Sequence, residues 1–573
     1  MPFLSLVFTG FIALTFRKAY PKPLMKKIFF VFLLLFSAQA YSQSPKRDKP
    51  KIVVGIVIDQ MRYDYLFLYM QKYSDDGFGR LIAGGFLCRN ANYNYVPTYT
   101  GPGHASIYTG TTPAYNGIIS NDWFDRNTNK LTYCASDSLV KPIGTDSATG
   151  KMSPAKLLTT TITDELRLSN NFKSKVIGIS LKDRAAIFSS GKFATAAYWV
   201  EDSLFTSSSY YMKSLPDWVE KFNAQKKIDA YFGKSWSKLL VEKEYNSLCD
   251  IDDVEYEGDN DGLGRIFPHI IQGSEKKAKT KSYYEAFYTS PFANKILLQF
   301  ARETIVNEEL GKRNVLDMLC VSLSANDYVG HNYGPNSQEV MDITVRTDKM
   351  LEEFFKFLEN EIGLKNCIIT LVADHGIAPI PDYLKKHFPN VDAGKISPKE
   401  MRQMSERFLT NAIGSFSDTT HWIDFVIHHN IFISEYACKQ KNISVKQAEE
   451  TIQDSLLQMK EIVDAYCADE LENGSRQTPF YTKLENSFYK ERSGDVFFVM
   501  KPYYNENRGS TATHGAPYEY DAHVPLIFFG KGIAKKESNE DCSPIDLAAT
   551  LSSLLGIEFP PMNEGRVLEV GNK

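Results

Sequence analysis

The chain has eight cysteines and no CxxC pair among them, which argues against thiolate zinc ribbons and dithiol redox centres. Positive charge is not in excess either. Lys and Arg total 65 against 69 Asp and Glu, a formal charge of −4, so there is no basic field to attract nucleic acid. Internal repeats and low-complexity tracts are absent, and 13% aromatics is more than a disordered chain carries. The apolar runs near the N-terminus, Phe3 to Phe16 and Ile28 to Phe36, fall short of the ~20 residues that span a bilayer. What is present is globular material: 573 residues, 43% hydrophobic and 23% charged, enough for one large core with insertions or for two domains.

The N-terminus reads as a targeting segment. Met25-Lys-Lys27, the apolar stretch Ile28 to Phe36, and Ala38-Gln-Ala40 match the three regions of a secretory signal peptide. Residues 1–24 are expected to be a start-site extension, 25–40 the signal peptide, and 41–573 the mature domain. No cysteine directly follows Ala40, which argues against lipid attachment there. The expectation is a periplasmic or secreted protein with no stable membrane anchor, acting as a monomer. Cys320 and Cys367 fall in apolar runs and read as buried residues, while the sequence assigns no pairing to the other six.

From Lys51 to about Gly191, strand-like and helix-like patterns alternate, the signature of a doubly wound α/β unit. The stretch from about 194 to 291 is rich in Ser and Tyr, with acidic residues clustered between Asp250 and Asp261, and reads as an insertion. Alternation resumes to Pro379. A second insertion is expected from about 382 to 493, carrying an amphipathic helix near Val445 to Met459. The tail then offers strands at Asp495 to Met500 and Val524 to Phe529 and a closing helix at Pro544 to Leu555. Glu257-Gly-Asp-Asn-Asp-Gly262 looks like half of a calcium loop. Pro268 stands where the closing Glu belongs, so a solvated acidic loop is the better reading.

Three β-branched runs end in candidate metal ligands. Asp59 closes Lys51 to Ile58, Asp374-His375 closes Asn366 to Ala373, and Asp327 and His331 follow Val315 to Ser322. Runs buried on both faces are parallel strands, and open α/β sheets place their sites at the carboxyl ends of such strands. Asp327-Tyr-Val-Gly-His331 spaces its donors so that one helical turn can bring them to one ion. An isolated Asp-His pair is as readily a cap or an Asx-turn. Three strand ends together point to metal, and oxygen and nitrogen donors without thiolate suit Zn²⁺, with Mn²⁺ and Fe as alternatives. Thr100 lies in the Gly/Pro-rich turn Tyr95 to Gly110, at the start of a helix whose exposed N–H groups favour an anion; an N-cap would occupy the same place. Thr98 and Ser106 are the weaker nucleophile candidates, and His523 is a rival to His514.

Taken in order, Val57-Ile-Asp59-Gln-Met-Arg, Pro97-Thr-Tyr-Thr100-Gly-Pro-Gly-His, Asn121-Asp-Trp, Ser180-Leu-Lys182-Asp-Arg184, Asp327-Tyr-Val-Gly-His331-Asn, Ala373-Asp374-His375-Gly and Thr513-His514-Gly make a set. This set resembles the alkaline phosphatase superfamily, and within it the periplasmic, phosphate-irrepressible zinc enzymes with a threonine nucleophile. The resemblance runs from Lys51 to the C-terminus. It implies an alkaline-phosphatase-like fold, a doubly wound, mostly parallel sheet flanked by helices, with inserted cap-like segments. It implies two Zn²⁺ per chain, one held by Asp59, Thr100, Asp374 and His375, the other by Asp327, His331 and His514. It further implies Thr100 as nucleophile, with Asn121, Lys182 and Arg184 binding the phosphoryl oxygens; read alone, Asn121 is a turn residue and Lys182/Arg184 a solvated pair. The implied substrates are small phosphate monoesters, hydrolysed through a phosphothreonine. The frame around Thr100 lacks the C/S-x-P-x-R of a sulfatase. Two alternatives stay open: a phosphodiesterase or nucleotide pyrophosphatase of the same superfamily, and an exported zinc-binding protein without turnover.

Overall fold

The computed structural model describes residues 49–573, except 260, 277, 278, 475, 477, 508, 572 and 573. The expected start-site extension and signal peptide lie outside the described residues.

A ten-stranded sheet forms the centre. Its strands in chain order are β1 (Ile52–Ile58), β2 (Phe86–Ala91), β3 (Pro142–Ile143), β4 (Val176–Ser180), β5 (Ala196–Glu201), β6 (Leu204–Ser208), β7 (Asp317–Leu323), β8 (Cys367–Val372), β9 (Leu526–Gly530) and β10 (Lys536–Cys542). In space they run β10-β2-β9-β8-β1-β7-β4-β5-β6-β3. The stretch β8-β1-β7-β4-β5 is parallel throughout, while β9 is antiparallel to both of its neighbours. Every residue of β1, β7 and β8 is buried. Their mostly apolar, non-alternating sequences follow from helices covering both faces, since a one-sided sheet would alternate polar and apolar residues. One face packs against an extensive core that includes Ile56, Leu319, Leu351 and Phe354; the other packs against Val53, Met318, Ile107 and Leu551.

Four helices matter for the site: α1 (Thr100–Thr109), α2 (Asp183–Ser190), α3 (Ala325–Tyr333) and α4 (Gln338–Glu361). All ten residues of α1 are buried. A methyl group added at Gly103 would lie 2.5 Å from the Asp374 carbonyl oxygen, so only glycine lets the first turn of α1 reach the end of β8.

The segment from about 194 to 291 contributes β5 and β6 to the edge of the central sheet, flanked only by the two-residue β3. The segment from about 382 to 493 carries strands Ile423–Ile427, Asn430–Ile433 and Ile462–Cys467 of a separate four-stranded sheet. Its remaining strand is Val496–Met500, read from sequence as part of the tail and paired here with Ile462–Cys467. This sheet has its own core, in which Trp422, Ile452 and Phe498 pack together. Among the described residues, no helix is long and apolar enough to cross a membrane.

Candidate functional site

The predicted residues gather at the carboxyl ends of four adjacent strands. Asp59 follows β1, Asp374 and His375 follow β8, Lys182 follows β4, and Asp327 and His331 lie on α3 just after β7. Each strand ends by turning its chain away from the sheet, and the polar residue at that turn faces the crevice. Asp327 and His331 sit one turn apart on α3, with His331 Nε2 3.3 Å from Asp327 Oδ1. His514 arrives from the loop before β9, its Nε2 3.6 Å from the same oxygen. On the opposite side His375 Nε2 lies 3.4 Å from Asp59 Oδ1 and 3.6 Å from Asp374 Oδ2.

The donor atoms of Asp327, His331 and His514 fall within 4.8 Å of one another, and so do those of Asp59, Asp327 and His375. Asp327 therefore stands between the two groups. The three imidazoles are oriented alike. His331 Nδ1 donates to the Ala512 carbonyl (2.8 Å), His375 Nδ1 to that of Gly376 (2.9 Å), and His514 Nδ1 to that of Thr98 (2.7 Å). A carbonyl only accepts, so each ring keeps its proton on Nδ1 and presents the Nε2 lone pair to the crevice. Burial holds His375 and His514 below the usual imidazole range, which keeps them neutral.

The carboxylates are crowded. Burial, together with the charges of Asp327 and Asp374, pushes Asp59 well above the ordinary carboxyl range. Burial works the same way on Asp327, but Lys182, His331 and His514 outweigh it and hold that carboxyl well below. Asp59 Oδ1 and His375 Nε2 are buried and make no hydrogen bond among the described residues. An unbonded carboxylate oxygen facing an unbonded imidazole lone pair has no favourable partner except a cation. The donor set thus fits metal ions, and none of the candidate ligands offers sulfur.

Thr100 is the first residue of α1; Tyr99 holds the N-cap position, so Thr100 is not the cap. Its Oγ1 lies 3.4 Å from Lys182 Nζ. That ammonium also donates to Asp59 Oδ2 (2.7 Å) and Asp327 Oδ2 (2.5 Å). Asn121 is at the same helix start, its Oδ1 accepting from Gly101 N at 2.8 Å. Arg184, in the first turn of α2, donates from Nη1 to the Tyr133 hydroxyl at 3.1 Å, and its buried Nε has no hydrogen-bond partner among the described residues. Lys182 is therefore a buried charge and Arg184 a half-buried one, and they are not a freely solvated pair. His523 is turned away, with Nε2 donating to the Arg89 carbonyl (2.9 Å) and its ring stacked on Tyr63.

A model of the type I phosphodiesterase/nucleotide pyrophosphatase family matches residues 53–517. The chain belongs to that family, within the alkaline phosphatase superfamily. It is 36% identical to alkaline phosphatase PhoV of Synechococcus elongatus over 91% of this chain and 92% of that protein. Identity is also 36% to alkaline phosphatase PafA of Elizabethkingia meningoseptica, covering 89% and 92%. A Myroides odoratus protein named a calcium-transporting ATPase matches at 36% over 93% and 97%. The crystal structure of PafA superposes with a TM-score of 0.85 at 34% identity, covering 91% of this chain and 99% of that one.

The structure also brings to the site residues that the sequence reading did not assign to it. Gln60 donates from its side chain to Asp327 Oδ1 (2.7 Å) and from its backbone to Asp374 Oδ1 (3.1 Å), tying the two halves of the site together. His104 spans from the Thr100 carbonyl to the Ser322 hydroxyl, 2.9 Å to each, and its Nδ1 lies 3.3 Å from Asp374 Oδ2. Tyr328 places its ring 5.2 Å from Lys182 Nζ. Its own neighbour, Tyr288, belongs to the 194–291 segment. The only signal for Gln60 and Tyr328 in the sequence was adjacency to Asp59 and Asp327.

Proposed function

We propose that this chain is an exported alkaline phosphatase that hydrolyses phosphate monoesters, with Thr100 as nucleophile and two Zn²⁺ as cofactors. The observation that carries this reading is the Thr100 hydroxyl at the start of α1, 3.4 Å from an ammonium that is itself bonded to Asp59 and Asp327. Asp59, Thr100, Asp374 and His375 would hold one ion, and Asp327, His331 and His514 the other. When bound, the ions supply positive charge that acidifies a hydroxyl and offsets the charge of a phosphoryl dianion.

The chain's own residues do the rest. The positive end of the α1 dipole favours the phosphoryl charge, while the Gly101 N–H is taken by Asn121 and the Gly103 N–H by the Tyr99 carbonyl. Asn121, Lys182 and Arg184 bind the non-bridging oxygens, and Lys182 and Arg184 add the cationic charge that a monoester dianion demands and a diester monoanion needs less. Thr100 Oγ1 attacks phosphorus, its proton passes to solvent, and the bond to the leaving alcohol breaks, giving a phosphothreonine. Water then attacks phosphorus from the vacated face, the bond to Oγ1 breaks, and inorganic phosphate leaves. Two in-line displacements give net retention at phosphorus.

The same reading makes residues 25–40 a signal peptide and the segments at about 194–291 and 382–493 insertions that border the crevice. Tyr288 on Tyr328 and His428 on Tyr99 support it, since each segment places one ring against a residue of the site's wall. The test is kcat/KM of the purified protein, with Zn²⁺ present, on an aryl phosphate monoester and the matching alkyl aryl diester. A large monoester preference is expected, and a diester preference would reassign the enzyme to the diesterase members of its family. Thr100→Ala is expected to lower turnover by on the order of 10⁴-fold or more with the circular dichroism spectrum unchanged; surviving turnover would remove Thr100 as nucleophile.

A further inference from the structure

The separate four-stranded sheet sends a hairpin tip to the start of α1. Its strands Ile423–Ile427 and Asn430–Ile433 pair with Ile427 opposite Asn430, which leaves His428-His429 as the whole loop. Both residues take positive φ, 51° and 63°. Two-residue loops of that kind are dominated by Asn, Asp and Gly, so two imidazoles are more side chain than the turn requires. An uncommon backbone conformation persists where the surroundings impose it, and such places gather at functional sites.

The tip is held in place by the sheet that carries it. The His428 N–H donates to Glu506 Oε1 (3.2 Å), the His428 carbonyl accepts from Asn430 Nδ2 (2.8 Å), and the His429 carbonyl accepts from Phe498 N (3.1 Å). The His428 ring, buried with its residue, lies against Tyr99 with centroids 4.6 Å apart. Tyr99 also meets the loop of His514. Those two rings stand edge to face at 5.2 Å, and a methyl group added at Gly515 would lie 2.7 Å from the Tyr99 ring, so only glycine leaves room for it. Tyr99 is thus packed against both the hairpin tip and the His514 loop. Its chain neighbours are Thr98, whose carbonyl takes the Nδ1 proton of His514, and Thr100. Any shift of the Tyr99 ring that drags its backbone moves both.

On the reading of Thr100 as nucleophile and His514 as metal ligand, we propose that His428 is a positioning residue whose ring fixes Tyr99, and through Tyr99 both the Thr98 carbonyl behind His514 and the Thr100 hydroxyl. The inserted segment then does more than border the crevice, because it sets the geometry of two groups that lie more than three hundred residues from His428 or nearly a hundred beyond it in the chain. Reaction geometry tolerates little slack, and a displacement of ~1 Å from a remote change can cost about 10²-fold in rate.

Variants of the full-length protein test this. His428→Asn keeps a residue suited to the turn and removes the ring, His428→Phe keeps a ring, and Tyr99→Leu removes the group on which the ring acts. At saturating Zn²⁺, His428→Asn is expected to lower kcat on an aryl monoester by about 10- to 100-fold with KM nearly unchanged. It is also expected to release one zinc to a competing chelator at about tenfold lower chelator concentration, with the circular dichroism spectrum unchanged. His428→Phe should stay close to wild type in both measurements. In a Tyr99→Leu background His428→Asn should cost nothing further, since residues acting in series are not additive. A merely structural role would lower Tm while leaving kcat and zinc release of the loaded protein intact. Wild-type kcat and zinc release in His428→Asn, equal losses in the Asn and Phe variants, or additive losses with Tyr99→Leu overturn the proposal. Zinc release needs no turnover, so if wild type hydrolysed no monoester the reading of the reaction would fall while that measurement still decided the role of His428.

Discussion

Gln60 holds a left-handed backbone conformation, φ 66°, that non-glycine residues seldom adopt. Such strain persists only where the surroundings impose it, and here Asp374 takes the backbone N–H while Asp327 takes the side-chain amide. Gln60→Ala should therefore loosen the carboxylate between the two donor groups. The expected result is metal affinity lower by about 10- to 100-fold, read by zinc release to a competing chelator, with kcat restored at saturating Zn²⁺. Arg184 makes a different prediction. Its buried Nε has no partner among the described residues, so Arg184→Ala should cost about 10²- to 10³-fold in kcat/KM on monoesters and far less on diesters; an equal loss on both would remove it from dianion recognition. Asp59 and Asp374 were legible in the sequence because each closes an apolar run. Gln60 and His104 were not, because their partners at Asp327, Asp374 and Ser322 lie hundreds of residues away and no local pattern encodes such contacts.

At the level of elements, α4 anchors the N-terminus of the helix Phe78–Gly84 through Asp348, whose carboxylate accepts from Ser74 N (2.7 Å) and Phe78 N (2.6 Å). Burial raises this carboxyl from its ordinary 3.8 to about 6. The folded protein thus binds the proton more tightly than the unfolded chain, and the stability this lends is present below pH 3.8 and lost as pH rises to about 6. Asp348→Asn cannot titrate, so its stability relative to wild type should improve between pH 4 and 6, roughly that window. Urea midpoints measured at both pH values check it, and a constant difference would contradict it. The buried strands β1, β7 and β8 were legible because continuous β-branched runs have few other solutions. β5 and β6 were obscured by their Ser-rich and aromatic composition, which suits an edge hairpin but does not announce a place in the main sheet. Val496–Met500 reads as well for one sheet as for the other, since a strand's pattern shows that it is buried and not against what.

Across the whole molecule, the candidate ligands come from segments separated by most of the chain, and crowded carboxylates at their centre favour any dication that binds them. Chelation is expected to abolish turnover and to lower Tm, because a ligand that binds only the folded state stabilises it by mass action. Added Zn²⁺ should restore both, and activity unaffected by exhaustive chelation would exclude a metal-dependent mechanism. β9 has a consequence of its own. It lies between β2 and β8, yet it is built from residues 526–530. A ribosome making this chain has therefore released nearly all of it before β2 and β8 can be joined, and His514, just upstream, emerges equally late. The nascent protein passes most of its synthesis with two open sheet edges and an incomplete set of metal donors. Open sheet edges of that kind invite mispairing, and the candidate donor set is complete only once His514 has emerged.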